Sequence, residues 1–422
     1  MKRIQLHWWI ILGMVAGAIL GTLVHKAYGP EAAPSTALYQ AFDGISVIFL
    51  KLLKLIVIPL VFFSLLSGML GLGDLAQLGR MGVKTFALYI LTSLIAILTG
   101  LTLVNLIRPG EGLSIPIPTE PVDKEIPETF WDVIAGMVPD NVFRAAAEFD
   151  LLGVIVFALL FGAFLLPLQG PRKETLVHFV EGASEVMMKM TGFVISLAPV
   201  GIAALIARMV SSTGLGVFVE MRWYVLTVFA ALLFHATISL PLLVFLICRR
   251  NPYRFLRAMS PAMLTGFSTA SSSGTLSITM ERAEHGAGIS NRVASFVLPI
   301  GATVNMDGTA LYEIVSVLFI AQVHAGIDPT FSLTLGQQVM IAFLGLAVSI
   351  GAAGIPHAGL VMMVIILQAV GLPIEYTGLI WAVDRVLDMC RTVVNLTSDS
   401  SIAMIVASTE GEVDDSVLWD AP

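Results

Sequence analysis

The chain has few charged residues. Lys, Arg, Asp and Glu make up 13% of its 422 residues, whereas soluble globular proteins carry about 25%. Hydrophobic residues make up 57%, and the mean hydropathy is +0.89. Because so few charges cannot cover the surface of a water-soluble protein of this length, the composition excludes that class and predicts a polytopic membrane protein.

Cysteine and clustered positive charge are also scarce. Cys248 and Cys390 both lie in apolar runs and lack the C-x2-C spacing of a metal site, so we interpret them as buried apolar side chains. The net charge is −7, and the acidic residues of the tail (410–422) account for most of it. This distribution of charge gives no indication of nucleic-acid binding.

Six apolar runs in the N-terminal part of the chain are long enough to cross a membrane, since about 20 helical residues span the hydrocarbon core. The run at 131–167 contains Pro139, Asp140 and Asn141 and is expected to be broken there. Basic residues lie on alternate sides of successive runs, opposite the acidic loop 108–128, which predicts a cytoplasmic N-terminus. The runs lie near 7–25, 40–72, 82–107, 131–167, 175–210 and 223–248.

Two later segments are apolar at both ends but small and polar in the middle. The first covers 261–280 and is interrupted at 268–275; the second covers 336–369 and is interrupted at 349–359. Broken backbone is tolerated at membrane depth only where it is buried in protein or lines a cavity, so we predict two re-entrant helical hairpins. Each is followed by a full-length helix containing an Asn and an Asp. This weak repeat is typical of a transporter binding site.

The last apolar run carries a polar stripe. Its members share one helix face because they are spaced three or four residues apart, and they are predicted to face protein, water or ligand rather than lipid. Three carboxylates against one arginine leave negative charge that bound cations would neutralise. The stripe consists of Asp384, Asp388, Arg391, Asn395 and Asp399.

The stripe also suggests a ligand. The fork of Arg391 suits a carboxylate, Asp388 suits an ammonium group, and Asn395 offers both donors and acceptors. An acidic amino acid requires these three kinds of group. The hairpin tips add backbone N–H groups near half-helix N-termini, which suit an α-carboxylate.

Hard oxygen ligands for Na⁺ are also present inside apolar segments. We expect them to be the carboxylates of Asp307 and Asp399, the amide of Asn305, the hydroxyls of Thr92 and Ser93, and carbonyls freed at the second hairpin.

Glu313 lies in the same apolar helix as Asp307, where an ionised carboxylate is expensive. Desolvation favours its protonated form, so we predict that it carries a proton. The alternative is a structural glutamate satisfied by hydroxyls or by a neighbouring base such as Arg385.

Four segments resemble the dicarboxylate/amino acid:cation symporter family, which includes the excitatory amino-acid transporters and their archaeal homologues. The resemblance extends from the first span to about Thr409. Its most specific segments are SSSGT at 271–275, GATVNMDGTALY at 301–312, GAAGIP at 351–356 and DMCRTVVN at 388–395.

This resemblance implies an all-α polytopic membrane protein with eight transmembrane helices, two re-entrant hairpins, inverted repeats and an elevator-type motion. It implies a homotrimer in the plasma membrane, in contact with lipid and with both termini cytoplasmic. Residues 1–78 and 128–214 would form the scaffold. Residues 79–127 and 215–409 would form the transport domain, and residues 410–422 an acidic cytoplasmic tail.

The resemblance also assigns site residues, with Na⁺ as the co-transported cation and no organic cofactor. Substrate contacts fall on Ser271, Ser272, Thr309, Ile355, Gly359, Asp388, Arg391, Thr392 and Asn395. The first sodium site falls on Gly301, Asn305, Asn395 and Asp399; the second on Thr303, Ser349, Ile350 and Ala352; the third on Tyr89, Thr92, Ser93, Asn305 and Asp307. Glu313 matches the glutamate of proton-coupled animal members, whereas sodium-only archaeal members have glutamine. Ser398 replaces the glycine that usually precedes the aspartate at 399.

The expected function is secondary active import of glutamate or aspartate with Na⁺. Within the family, the alternatives are C4-dicarboxylate uptake, whose carriers lack an acid matching Asp388, and neutral amino-acid transport, whose carriers typically replace the arginine matching Arg391. A distant alternative is an intramembrane hydrolase that uses the serines at 271–273 or paired aspartates. It would need a base near the nucleophile, and His285 and His357 are the nearest candidates.

Overall fold

The computed structural model describes residues 6–71, 75–113, 138–147, 151–328, 331–350 and 358–419. These residues form helices joined by turns, and the β-pairing among them is an isolated antiparallel bridge between Ile289 and Val413. The predicted all-α polytopic fold is confirmed.

The helices are numbered in chain order. They are α1 (Leu6–Ala32), α2 (Ala37–Gly71), α3 (Leu75–Ile107), α4 (Val142–Ala147), α5 (Leu151–Leu165), α6 (Pro171–Ser196), α7 (Ala198–Thr213), α8 (Gly216–Glu220), α9 (Arg222–Phe234), α10 (Leu240–Cys248), α11 (Pro252–Thr269), α12 (Ser272–Ala287), α13 (Asn291–Val304), α14 (Asp307–Ile327), α15 (Leu335–Ile350), α16 (Ala358–Ala369), α17 (Thr377–Glu410) and α18 (Asp415–Trp419).

Three helical segments within the described residues are long and apolar enough to cross a membrane: Arg80–Ile107, Arg222–Cys248 and Asn291–Ile327. A fourth span results if α6 and α7, which meet at an angle of 50°, count as one bent helix. In the regular stretches of such helices the backbone groups are satisfied within the segment, as hydrocarbon requires. The eight spans implied by the family remain a prediction.

Three glycines, four residues apart, bring α1 against α7. A Cβ added to Gly13, Gly17 or Gly21 would lie 2.3, 2.3 or 2.6 Å from a backbone oxygen of α7. Helices in lipid associate through such close backbone approach, because lipid tails are as apolar as their side chains. Helix α2 in turn packs on α5, α6 and α7.

Helix α14 is the centre of the largest buried cluster and is surrounded by α3, α9, α15, α16 and α17. Every residue from Asp307 to Ala321 is buried. A helix that is apolar on all sides needs such an environment. Any polar side chain on α14 is therefore held inside protein.

The helices of both predicted hairpins are present among the described residues. In hairpin 1, α11 and α12 pack against each other and reverse at Ala270 and Ser271, where Ala270 adopts a left-handed conformation (φ 51°). Its helices extend beyond the predicted range, from Pro252 to Ala287. In hairpin 2, α15 packs on α16, and the connection 351–357 lies outside the described residues.

The helix expected to contain Asn305 and Asp307 is not continuous, so that prediction is wrong. Helix α13 ends at Val304, the backbone leaves helical geometry at Asn305 and Met306, and α14 begins at Asp307. Asn and Asp side chains compete with the backbone for hydrogen bonds, which weakens a helix at such a run. The break exposes carbonyls at the end of α13 and N–H groups at the start of α14.

The span 223–248 is also irregular. A π-helical segment, His235–Ser239, separates α9 from α10. Pro241 follows it, and because its ring nitrogen carries no hydrogen it cannot donate to the carbonyl of Thr237. π-Helical insertions are frequent at functional sites.

The expected break near Pro139 is confirmed, because Asn141 caps α4 there by accepting from the Phe143 N–H at 2.9 Å.

The C-terminal tail is attached to one end of the helices that carry the hairpins. Glu410 pairs with Arg80 and Lys84 at the start of α3. Glu412 accepts a hydrogen bond from Ser290 at 2.5 Å and pairs with Arg292 at 2.9 Å. The Ser290 hydroxyl and the Arg292 charge lower the pKa of Glu412 from its ordinary value.

Candidate functional site

The polar stripe of α17 lies inside the protein, as predicted. Each of its members is at most 4% exposed. Charges at this depth require partners within the protein or a ligand. The stripe consists of Asp384, Asp388, Arg391, Asn395 and Asp399.

Arg391 is held by two carboxylates and an aromatic ring. Its Nη2 donates to Asp388 Oδ1, one turn earlier, and its Nη1 lies 3.6 Å from Asp384 Oδ1. The guanidinium lies 4.3 Å from the centre of the Tyr312 ring, and the Tyr312 hydroxyl donates to Asp384 at 2.7 Å. Its Nη1 has no hydrogen-bond acceptor among the described residues. The guanidinium is therefore fixed in place with one donor edge still available.

Hairpin 2 reaches the same guanidinium. A Cβ added to Gly359, in the first turn of α16, would lie 2.6 Å from Arg391 Nη1. The structure thus brings Gly359 and Arg391 together, as the resemblance implies, and leaves no room for a side chain at 359. Ile355 lies outside the described residues.

The break between α13 and α14 lies against α17 at Asn395. The Asn395 Oδ1 accepts from the Gly308 N–H at 2.8 Å, and its Nδ2 lies 3.3 Å from Thr309 Oγ1. Thr392 is buried and donates to the carbonyl of Asp388 at 2.9 Å. These predicted substrate residues therefore form one continuous surface with Arg391.

The tip of hairpin 1 contributes one buried serine, Ser272, and one half-buried serine, Ser271. Ser272 is 3% exposed, and Ser271 caps α12 by accepting from the Gly274 N–H at 3.0 Å. A Cβ on Gly266 would lie 2.2 Å from Leu396 Cδ1. Hairpin 1 therefore packs closely on α17, beside the stripe.

A buried cluster of oxygens surrounds Asp307. Its Oδ1 accepts from Ser93 at 2.6 Å and lies 3.3 Å from Thr92 Oγ1, while its Oδ2 accepts from Ser398 at 2.6 Å. The Tyr89 carbonyl accepts from Thr92 at 3.2 Å. The third predicted sodium group is therefore assembled from α3 and α14.

Asn305 joins this cluster to Asp399. Its Nδ2 donates to Asp399 Oδ1 and to Ser398 Oγ, both at 2.9 Å, and its Oδ1 lies 3.3 Å from Thr92 Oγ1. A Cβ on Gly301 would lie 2.5 Å from Asp399 Oδ1. The first and third predicted groups thus form one connected network of hard oxygen ligands.

The second predicted sodium group lies at two helix ends. Thr303 is in the last turn of α13, Ser349 and Ile350 end α15, and these two helices are in contact. The last four carbonyls of a helix have no partner within it, so both ends offer oxygen ligands. Ala352, the remaining member, lies outside the described residues.

Glu313 is fully buried on α14. Neither of its carboxyl oxygens has a hydrogen-bond partner within the described part of the chain. An unpaired ionised carboxylate would be very costly there, which favours the neutral form. The side chain of Arg385, the alternative partner, lies outside the described residues.

Sequence reasoning missed two residues of this site. His235, in the π-helical segment, is fully buried, and its Nε2 lies 3.2 Å from Asp307 Oδ2. An ionisable residue inside an apolar run is the signal that could have identified it. Ser398 was noted only as a departure from the family, yet its hydroxyl links Asp307 to Asn305.

Comparison with known proteins gives two consistent results. The profile of the sodium:dicarboxylate symporter family matches residues 6–409. A curated relative from mouse, excitatory amino acid transporter 3, is 34% identical over 94% of this chain and 85% of its own length. The proton/sodium-glutamate symport protein of Bacillus subtilis (strain 168) is 35% identical over 97% of this chain and 94% of its own length.

Proposed function

The chain belongs to the sodium:dicarboxylate symporter family, and we propose that it imports glutamate or aspartate together with Na⁺. It is a membrane transporter, not an enzyme, which excludes the hydrolase alternative. The names of the mouse and Bacillus relatives agree with an acidic amino acid as substrate.

The observation that carries the choice of substrate is the buried ion pair between Arg391 and Asp388, each 2% exposed. An acidic amino acid can exchange with this pair without leaving either charge alone. Its side-chain carboxylate replaces Asp388 on the guanidinium, and its ammonium group replaces Arg391 on the carboxylate. An unpaired buried charge costs several kcal/mol of free energy. The exchange avoids this cost because both charged groups keep a partner while the ion pair separates.

The alternative substrates each match the pair less well. A C4-dicarboxylate can pair with Arg391 but offers no cation to Asp388. A neutral amino acid can pair its ammonium group with Asp388 but has no side-chain carboxylate for Arg391, which then keeps the longer contact with Asp384 at 3.6 Å. The geometry therefore favours the acidic amino acid over both alternatives.

Coupling to Na⁺ is proposed from the oxygen cluster around Asp307 and Asp399. Two buried carboxylates lie in one network with the hydroxyls of Thr92 and Ser93. Na⁺ bound there would place its positive charge beside both carboxylates. We propose the three predicted sodium groups as its sites.

We further propose Glu313 as a proton carrier. Its burial and lack of hydrogen-bond partners among the described residues support a carboxyl that is neutral in this conformation. Release of the proton would require a transport state in which water or a cation reaches it. The Bacillus relative is named as a proton/sodium symporter.

The division into scaffold and transport domain is proposed with the boundaries given above. Packing of α1 on α7 and of α2 on α5, α6 and α7 supports a separate scaffold unit. The homotrimer is proposed from the resemblance, with one face of α6 as the contact between copies: Phe179, Val186 and Phe193 lie seven residues apart on it and are 63%, 55% and 63% exposed. On the same helix, Glu185 and Lys189 form an ion pair at 2.7 Å, and both side chains are exposed.

Location in the plasma membrane with cytoplasmic termini is also proposed. The basic residues of α3 and of the α10–α11 turn converge on the acidic tail. These contacts support the proposal that the predicted cytoplasmic loops lie at one end of the molecule, as the positive-inside rule requires.

The test is uptake of radiolabelled aspartate, glutamate, succinate and alanine into proteoliposomes, with Na⁺, H⁺ and K⁺ gradients varied independently. We expect aspartate or glutamate to accumulate against its gradient only when Na⁺ is supplied outside. Preferential uptake of succinate or alanine would refute the proposed substrate. Uptake of aspartate that is driven by protons alone would refute the Na⁺ coupling.

A further inference from the structure

A groove between α10 and α11 opens on the outer surface of the helices. Its volume is about 480 Å³. Ile238, Leu242 and Phe245 line its length and are 48%, 52% and 52% exposed. Arg249 and Arg250 lie at its end. An apolar channel is thus continuous with a pair of cations, at the point where a membrane span ends.

Local backbone chemistry builds this groove. Because Pro241 cannot donate to the Thr237 carbonyl, that carbonyl accepts from the Tyr253 hydroxyl of α11 at 3.0 Å. Arg249 takes a left-handed conformation (φ 54°), which lets a short turn join α10 to α11. The two helices therefore run side by side, with the arginines fixed in the turn between them.

The two arginines carry more positive charge than their neighbours neutralise. Arg249 is exposed and has no side-chain partner among the described residues. Arg250 donates through Nη2 to Asp415 at 2.9 Å, whereas its buried Nη1 has no acceptor in the part of the chain that is described. Asp415 pairs with Arg250, and the exposed guanidinium of Arg249 remains available to a further anion.

We propose that this groove binds an anionic phospholipid. The headgroup phosphate lies against Arg249 and Arg250, whose planar forks match its oxygens, and an acyl chain lies along Ile238, Leu242 and Phe245. A phospholipid matches both parts of the groove at their expected depth in the membrane. Its phosphate lies at the interface, where the arginines are, and its acyl chains lie in the hydrocarbon, where the apolar side chains are. An apolar helix of another copy would cover the groove but offer no anion to the exposed Arg249.

Native mass spectrometry of the full-length protein in detergent tests this, with phosphatidylglycerol and phosphatidylcholine of identical chains as probes. We expect preferential retention of phosphatidylglycerol by the wild type. Each basic residue near a membrane surface contributes about a five-fold gain in affinity for an anionic lipid. The affinity of the variant Arg249→Gln/Arg250→Gln for phosphatidylglycerol should therefore be about 25-fold lower than that of the wild type. The matched variant Arg172→Gln/Lys173→Gln removes two adjacent cations from another turn and should retain the preference.

Two further variants separate the lipid from other causes. Leu242→Trp fills the apolar channel and should weaken binding of both phospholipids. Asp415→Asn breaks the ion pair with Arg250 but keeps both arginines, and should bind phosphatidylglycerol at least as well as the wild type. Loss of binding in Asp415→Asn equal to that in the arginine variant would show that a displaced tail is the cause, and would overturn the proposal. Unchanged selectivity in the arginine variant, or full competition by glycerol phosphate without acyl chains, would also overturn it.

Discussion

Replacement of Asp388 by asparagine should weaken the binding of acidic amino acids much more than the binding of dicarboxylates. In the wild type, Asp388 pairs with Arg391 inside the protein. In the proposed exchange, Asp388 binds the ammonium group of the amino acid. Removing one partner of a buried charge pair typically costs about 2–5 kcal/mol, which corresponds to an affinity loss between about 30-fold and several-thousand-fold. Aspartate should show this loss. Succinate should be penalised far less, because it has no ammonium group and gains a guanidinium released from Asp388.

The assay is binding of each ligand to the purified protein at fixed, saturating Na⁺ by isothermal titration calorimetry. Asp384→Asn is the matched control, since Asp384 is also buried and lies 3.6 Å from Arg391. It does not receive the ammonium group in the proposed exchange, so it should affect both ligands to similar degrees. Equal losses of aspartate and succinate in Asp388→Asn, in a variant that keeps the wild-type melting temperature, would refute the assigned role.

Four other outcomes follow from the same structure. Arg391→Cys should abolish uptake of acidic amino acids and allow uptake of alanine or serine; unchanged aspartate affinity would contradict its role. Asp399→Asn should flatten the dependence of substrate affinity on Na⁺, measured by titration at constant ionic strength, and a full Na⁺ response would exclude Asp399 as a ligand. An inward proton gradient should accelerate wild-type uptake between about pH 5.5 and 8, and Glu313→Gln should remove this response while transport continues. Gly17→Leu should lower the melting temperature, because overpacking against the α7 backbone costs about 1–3 kcal/mol, and an unchanged value would show that the two helices can separate without loss.

The fold class and the location of the stripe could be predicted because they depend on simple regularities. Low charge and long apolar runs indicate membrane helices, and the spacing from Asp384 to Asp399 places the polar residues on one face whatever surrounds it. Both hairpins were predictable because small and polar residues interrupt apolar runs that are otherwise long enough to be helices. These signals are local and need no knowledge of tertiary contacts.

The break at Asn305 and the contact of His235 with Asp307 were not predictable in the same way. Apolar residues dominate on both sides of the break within residues 291–327, and no proline lies at the interruption itself. The break is stabilised by side chains of α17, among them Asn395. Because these residues lie far from the break in the sequence, the sequence alone does not identify them as its partners. His235 becomes part of the site only because the π-helical segment and the neighbouring helices bring it there. Tertiary contacts therefore decide the details of the cation cluster.

The interruption between α13 and α14 also has an electrostatic consequence. A helix carries about half a negative charge at its C-terminus and half a positive charge at its N-terminus, so one break places both ends within a few residues of each other. The negative end of α13 adjoins Asn305, which is hydrogen-bonded to Asp399, and the positive end of α14 carries Asp307 and presents the Gly308 N–H to Asn395. The break therefore places two opposite partial charges beside the proposed Na⁺ ligands and the proposed substrate residue. Restoring a continuous helix would remove both partial charges at once, so Na⁺ affinity and substrate affinity should decline together.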